Sequence, residues 1–142
     1  MTQQEWITEV LSWVGTPFRW QGRAKGDGSD CWGMVVASGW NCGYIPTSWD
    51  VKGYTRRADL AGLSKENLPL WFDEVPPKQV QPGDVVTMHH QAGTMHMGVI
   101  YSHPFGGLGI IHSDDYRHIV QHRLSEGQRQ LITQVWRPRY EQ

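Results

Sequence analysis

The sequence has few cysteines, no long apolar stretch and no excess of charge of either sign, and each shortage excludes a class of protein. Two cysteines in 142 residues cannot build a disulfide framework, although Cys31 and Cys42 can still form one bridge. No run of about 18 apolar residues occurs, so no transmembrane helix is expected. The 13 basic and 14 acidic residues give a formal net charge of -1, which predicts neither a nucleic-acid-binding nor an anionic-membrane surface.

The composition is that of a single globular domain over residues 1–142. Hydrophobic residues make up 39% of the chain, which is typical of a folded domain with its own core. The first ten residues, MTQQEWITEV, lack a basic start followed by an apolar run, so no signal peptide is predicted. We therefore expect the protein to be made as a soluble cytoplasmic product.

Helical signals dominate the first half of the chain. Residues 2–5 fit a capping box, and apolar residues then recur at helical spacing, which predicts a helix over residues 3–14 that Gly15 and Pro17 end. A glycine-rich and charged loop over residues 15–30 follows. Ser29 or Asp30 can cap a second helix over residues 31–38, with Gly39 at its end. Short helices are predicted at residues 50–61 and 64–72.

The second half of the chain has the pattern of short strands. Runs rich in β-branched and aromatic residues are separated by Gly, Pro, Ser and Asp at residues 85–89, 96–101, 109–112, 119–124 and 131–136. They predict antiparallel strands joined by hairpins. Helices first and strands afterwards indicate an α+β domain in which the helices pack on one face of an antiparallel sheet.

Cys31 is the first candidate for chemistry because it directly follows a predicted helix cap. A helix N-terminus carries a partial positive charge and unpaired N–H groups, and both favour the reactive thiolate. The same N–H groups can stabilise a developing oxyanion. The alternative is a buried cysteine that acts as a small hydrophobic residue.

His96 and His112 are the candidate partners of this cysteine. His96 begins a predicted strand, where His96, Gly98 and Ile100 share one face, and an imidazole there can accept a thiol proton. His112 ends the next predicted strand and can orient His96, as the third member of a triad does. Either histidine can instead have a purely structural role.

Metal binding is a further alternative for the histidines. His89, His90, His96 and His112 are the candidate ligands, but their spacings match no common zinc pattern. The adjacent pair His89 and His90 would point to opposite faces of a strand. His103, His118 and His122 are interpreted as surface loop or strand positions, and no metal or other cofactor is predicted.

Four blocks of sequence follow one another along the chain: GTPFRWQG at 15–22, DCWG at 30–33, QPGDVV at 81–86, and HMGVIY at 96–101 followed by IHS at 111–113. They span about residues 15–113, and their succession is more specific than any one of them. Read in order, they resemble the NlpC/P60 family of papain-like cell-wall peptidases.

The resemblance implies a fold, a reaction and a set of roles. The fold is a circularly permuted papain fold, in which a helix bearing the cysteine packs against an antiparallel sheet bearing both histidines. The reaction is cleavage of amide bonds in peptidoglycan stem peptides, often between D-glutamate and a diamino acid, without a cofactor. Cys31 would be the nucleophile, His96 the base and His112 the residue that orients it.

The chain departs from the family pattern at two positions. Many members carry a tyrosine where Phe18 stands, and that hydroxyl is associated with the oxyanion or the substrate. Phe18, Trp20, Asp30 and Trp32 are therefore candidates for substrate or oxyanion contacts, although helix capping is the plainer role for Asp30. The bulky Trp32 after the cysteine is more similar to the phage-tail branch of the family than to its secreted members.

These features lead to a specific hypothesis and to alternatives of other classes. The hypothesis is a peptidase of a phage tail or gene-transfer particle that opens the cell wall locally during DNA entry. Its partners would be the peptidoglycan peptide and other tail proteins, with no nucleic acid and no membrane insertion. One alternative is a structural tail-assembly subunit that kept the fold and lost activity. Another is acyl transfer or amidase chemistry with the same triad.

Overall fold

The computed structural model describes residues 1–55, 59–89, 95–114 and 117–141, and it has the predicted α+β architecture. Within these ranges, six strands form one antiparallel sheet in the order β3-β8-β4-β5-β6-β7, beside a two-stranded ribbon of β1 and β2. The α-helices are α1 (Gln3–Leu11), α2 (Cys31–Asn41), α3 (Leu60–Asn67) and α4 (Glu126–Gln130). The strands are β1 (Arg23–Ala24), β2 (Gly28–Ser29), β3 (Phe72–Val75), β4 (Val85–His89), β5 (Met95–Ser102), β6 (Leu108–Asp114), β7 (His118–Arg123) and β8 (Ile132–Pro138).

The sheet separates two apolar clusters, because successive residues of a strand point to opposite faces. On one face, Met97, Val99 and Tyr101 of β5 join the main core, which includes Trp6 of α1 and Trp32 of α2. On the other face, a smaller cluster gathers around Val86, Met88, Ile100, Ile110, Ile132 and Val135. The helix that begins with Cys31 therefore packs on one face of the sheet, as the order of elements predicts.

Helix α1 begins where the sequence predicts and ends earlier. The Thr2 hydroxyl accepts a hydrogen bond from the backbone N–H of Glu5 at 3.1 Å, which caps the first turn. The helix ends at Leu11 rather than at residue 14, and a turn leads to Gly15, whose φ of +92° suits glycine.

Helix α2 is longer than predicted and continues through Gly39 to Asn41. A side chain at Gly39 would meet Ile45 at 2.4 Å, so this glycine allows close packing and does not end the helix. Gly43, with φ +67°, follows the C-cap Cys42 and takes the left-handed conformation that ends helices. A glycine does follow the end of the helix, but it is Gly43 and not Gly39 as predicted.

The middle of the chain differs most from the prediction. The helix expected over residues 50–61 begins only at Leu60, and residues 56–58 lie outside the described ranges. The helix expected over residues 64–72 divides into the end of α3 and a 3₁₀ turn over Leu68–Leu70. Strand β3, the β1–β2 ribbon and helix α4 were not predicted, because each is too short for a periodic pattern to emerge.

The predicted turn into the first long strand is present at residues 82–84. Gly83 has φ +95°, and its N–H donates to the carbonyl oxygen of Ile100 at 2.7 Å. The buried carboxylate of Asp84 accepts two hydrogen bonds from the guanidinium of Arg137, at 2.9 and 3.0 Å. This ion pair links the turn before β4 to β8. It therefore fixes the position of β4, which is the neighbour of β5 in the sheet.

None of the helices in the described part of the chain combines the length and apolar character needed to cross a lipid bilayer.

Candidate active site

Cys31 is the first residue of α2 and is half-buried. Asp30 is the N-cap, and its carboxylate oxygen Oδ1 accepts the backbone N–H of Gly33 at 2.8 Å. The prediction that Asp30 caps this helix is confirmed. The cysteine therefore lies where the free N–H groups of the helix point out of its first turn.

A buried network of polar groups surrounds the Asp30 carboxylate. Its Oδ1 also accepts from the Arg23 guanidinium at 3.1 Å, and its Oδ2 accepts from the backbone N–H of Gln21 at 3.0 Å and from the Tyr54 hydroxyl. Asp30 is only 2% exposed. The same guanidinium binds Asp50 at 3.0 Å, so one cation serves two carboxylates beside the cysteine.

Tyr54 and Arg23 were not identified from the sequence as residues near the site. The Tyr54 hydroxyl donates to Asp30 and accepts from Arg23 at 3.0 Å, and burial together with the hydrogen bond to Asp30 raises the pKa of the Tyr54 phenol. Tyr54 follows α2 by a stretch without regular structure, and no local pattern indicates that it folds back onto residue 30.

Two glycine residues allow the loop before Cys31 to pack closely against the helix. A Cβ atom at Gly33 would lie 2.0 Å from the carbonyl oxygen of Gly22 and 2.4 Å from the Ser29 hydroxyl. A Cβ at Gly22 would lie 2.5 Å from the carbonyl oxygen of Gly28. Backbone therefore packs directly on backbone here, and only glycine fits.

Substitution of Gly33 by alanine is expected to lower the free energy of unfolding by about 3 kcal/mol, at the upper end of typical overpacking costs. The obstacle is a carbonyl oxygen of the backbone, which cannot rotate away as a flexible side chain can. Urea denaturation measures the effect. Gly127→Ala in α4 is the matched control, because a Cβ there meets nothing within 4 Å, and equal costs at the two positions would contradict the packing argument.

The thiol of Cys31 is not a ready thiolate in this environment. Burial, followed by the neighbouring carboxylate of Asp30, raises the pKa of Cys31 to about 12. The backbone N–H groups of Trp32 and Cys31 hydrogen-bond the sulfur and act in the opposite direction, as expected of a helix terminus. The helix terminus therefore acts in the predicted direction, but burial outweighs it.

His96 and His112 come together on neighbouring strands. His96 lies near the start of β5 and His112 near the end of β6, and the pairing of Gly98 with His112 places both imidazoles on the same face. Their ring centroids are 5.8 Å apart, with the rings edge to face. Gly98 lies between them, and the predicted common face of His96, Gly98 and Ile100 agrees with the register.

A third histidine extends this row and was missed in the sequence. His122 of β7 lies diagonally across from His112, and their Nε2 atoms are 2.8 Å apart. Its sequence context, between Gln121 and Arg123 on a predicted strand, suggested a surface position. The strand period predicts which face His122 occupies, but only the register between β6 and β7 brings it to His112.

The segment over residues 15–18 joins the cysteine and histidine parts of the site. On one side, Gly15 and Ile119 of β7 are joined by a hydrogen bond of 2.8 Å from the Gly15 N–H. On the other side, Ser29, which lies two residues before Cys31, donates its backbone N–H to the carbonyl oxygen of Pro17 at 3.0 Å. The backbone pairing thus runs from β7 through this segment to β2 and the start of α2.

The four candidate contact residues have different environments. Phe18 is half-buried, and its N–H donates to the carbonyl oxygen of Arg117 at 2.9 Å. The half-buried Trp20 packs edge to face against Tyr54, with ring centroids 5.1 Å apart. Trp32 is fully buried, so it has no surface to offer a substrate and contributes to the main core instead.

The structure bears on two alternatives raised by the sequence, a disulfide bridge between the cysteines and a metal site formed by histidines. Cys31 and Cys42 are free thiols at opposite ends of α2, about 16 Å apart by the rise of an 11-residue helix, which excludes a bridge between them. In the described part of the chain, no group of three or more His, Cys, Asp or Glu residues is arranged to hold a metal ion. The candidate ligand His90 lies outside those residues.

The chain belongs to the NlpC/P60 family, whose pattern it matches over residues 15–141. The matched region contains Cys31, His96 and His112 and the whole six-stranded sheet. No curated protein shows significant sequence similarity to the chain.

Two solved structures share the fold at low sequence identity. The NlpC/p60 domain of the peptidoglycan hydrolase SagA is 18% identical, covers 95% of this chain and 97% of its own length, and superimposes with a TM-score of 0.62. A protein from Staphylococcus aureus, described as similar to lipoprotein and of the NLP/P60 family, is 17% identical with a TM-score of 0.60. That match covers 98% of this chain and 42% of the other.

Proposed function

We propose that the protein is a cysteine peptidase that hydrolyses amide bonds in peptidoglycan stem peptides. The observation that carries the proposal is the position of Cys31 at the start of α2, with the N–H groups of Cys31 and Trp32 on its sulfur. Membership of the NlpC/P60 family and the fold shared with a peptidoglycan hydrolase support the choice of substrate.

The reaction follows from the chemistry of a cysteine and an imidazole. His96 accepts the thiol proton, and the sulfur of Cys31 attacks the carbonyl carbon, forming a C–S bond and a negatively charged oxygen. N–H groups at the start of α2 stabilise this oxyanion. His96 then gives the proton to the leaving amine as the C–N bond breaks, and water hydrolyses the resulting thioester to a carboxylic acid and the free thiol.

A proton acceptor is essential to this mechanism because burial disfavours the thiolate. Burial raises the pKa of the Cys31 thiol to about 12, so the thiol keeps its proton at neutral pH unless a base accepts it. His96 is proposed as the acceptor and His112 as the residue that orients it, which the edge-to-face contact between their rings supports.

Alkylation of Cys31 by iodoacetamide against pH tests the dyad, with Cys42 replaced by serine in every protein. In the wild-type background, we expect a thiolate well below pH 8.5, because the proton passes to His96. In His96→Ala this acceptor is absent while burial still raises the pKa of the thiol, so the rate should stay low at neutral pH and rise only at alkaline pH. The difference at pH 7 should exceed about 100-fold.

The matched control is His103→Ala, which removes a histidine at the far end of the β5–β6 hairpin. It should leave the profile unchanged. Equal, slow alkylation of the wild-type background and His96→Ala would contradict the dyad. Digestion of purified peptidoglycan, with mass spectrometry of the released peptides, then identifies the bond that is cleaved.

A place in a phage tail or gene-transfer particle is part of the same proposal. It is supported by the aromatic Trp32 directly after the cysteine, the form that resembles the phage-tail branch of the family. In such a particle the protein would act in the periplasm or cell wall and contact other tail proteins. Mass spectrometry of purified particles tests this, and finding the protein free in the periplasm but absent from particles would overturn it.

A structural tail subunit without activity is the second candidate function. The raised pKa of Cys31 and the phenylalanine at position 18 favour it, because each weakens catalysis. The alkylation profile separates the two candidates. An inert Cys31 in a protein that still assembles into particles would establish the structural role.

A further inference from the structure

The contact between His112 and His122 requires more protons than two neutral imidazoles carry. Their Nε2 atoms are 2.8 Å apart, a hydrogen-bond distance. The Nδ1 of His112 lies 3.1 Å from the carbonyl oxygen of Ser113, and the Nδ1 of His122 lies 2.9 Å from that of Arg123. A carbonyl oxygen only accepts, so both Nδ1 atoms carry hydrogen.

Counting the hydrogens gives the charge of the pair. A neutral imidazole has one N–H, and both are used at the Nδ1 atoms. Two unprotonated Nε2 atoms would then face each other with their lone pairs at 2.8 Å. One additional proton between them satisfies all three contacts, and the pair then carries a single positive charge.

We propose that His122 is a positioning residue for the proposed peptidase reaction, which holds His112 through this shared proton. With His122 donating, His112 is kept as the neutral tautomer with hydrogen on Nδ1. That ring orientation is the one that meets His96 edge to face. The inference rests on the proposed function and extends the row of imidazoles to three strands, β5, β6 and β7.

Two further histidines lie beside this pair. His96 approaches His112 from β5, and His118 precedes His122 on the same face of β7 and is exposed. The Arg123 side chain belongs to the opposite face, where it binds the carbonyl oxygens of Phe105 and Gly106 at 3.1 and 3.2 Å. His122 is in hydrogen-bond contact with His112.

Nitrogen NMR of the imidazoles tests the shared proton directly, independently of activity. We expect the Cys31→Ser protein at pH 6 to show three N–H groups on the two rings, with His112 protonated on Nδ1. His122→Gln should preserve the hydrogen bond at the Nε2 of His112, because a glutamine amide can donate to that nitrogen. In His122→Ala the Nε2 should lose the nitrogen shift of a hydrogen-bonded atom, while the carbonyl of Ser113 still holds hydrogen on Nδ1, and an unchanged Nε2 shift there would overturn the proposal.

Turnover with Cys31 intact provides the second measurement. His122→Ala should lower kcat for stem-peptide hydrolysis about tenfold with little change in KM, as loss of an orienting hydrogen bond does. His122→Gln should remain within about threefold of the wild type, because the glutamine amide keeps a hydrogen bond to His112. His118→Ala, a change at an exposed histidine of the same strand, is the control and should have no effect.

The two measurements separate failure of this inference from failure of the proposed function. A wild-type protein that cleaves no stem peptide overturns the proposed function, and the Nε2 shift of His112 in His122→Ala still decides whether His122 positions it. Equal kcat in His122→Ala and in the wild type, in an active protein, overturns the positioning role.

Discussion

Replacing Cys31 by alanine is expected to reduce peptidoglycan hydrolysis by at least about 10⁴-fold, because loss of the nucleophile removes the covalent route entirely. The fold should survive, since Cys31 is a half-buried residue at the first position of α2 and alanine is a good helix former. Release of stem peptides from purified peptidoglycan, measured by mass spectrometry, gives the rate. Thermal unfolding of the variant should match that of the wild type.

Cys42→Ala is the matched control for this experiment. Cys42 is the other half-buried free thiol of the chain and caps the opposite end of the same helix. Its loss should leave hydrolysis unchanged, because about 16 Å of helix separates it from the site. Equal rates for the wild type and Cys31→Ala would exclude Cys31 as the nucleophile and favour the structural role.

Replacing Asp30 by alanine is expected to lower the free energy of unfolding by about 3–5 kcal/mol, the typical cost of breaking a buried ion pair from one side. The carboxylate is almost fully buried and receives hydrogen bonds from Arg23, Tyr54 and two backbone N–H groups. Its removal leaves those donors without an acceptor and the helix of Cys31 without its cap. Urea denaturation with an unchanged m-value measures the loss.

Two further variants separate the origins of that cost. Asp30→Asn keeps an acceptor for the Gly33 N–H but removes the charge that faces Arg23, so its cost should fall between those of wild type and Asp30→Ala. Asp73→Ala removes an exposed aspartate that also pairs with an arginine, Arg139, and should change stability little. Equal effects of Asp30→Ala and Asp73→Ala would contradict the importance of burial.

The elements that the sequence predicted best are those whose signals are local. The N-cap before Cys31 and the β-prone runs near residues 85–89 and 96–101 depend on neighbouring residues and on short periods. The helix end was misplaced because Gly39 and Gly43 carry the same local signal. Which of them adopts the left-handed conformation depends on Ile45 packing against Gly39.

The sequence by itself determined the α+β class, the helix that starts at Cys31 and the common face of His96 and Gly98, because these follow from capping and from the period of a strand. Only the tertiary structure decided what surrounds them. Tyr54 reaches Asp30 across 24 positions of the chain, and His122 reaches His112 through the register of two strands. The raised pKa of Cys31 likewise comes from burial, which local sequence does not encode.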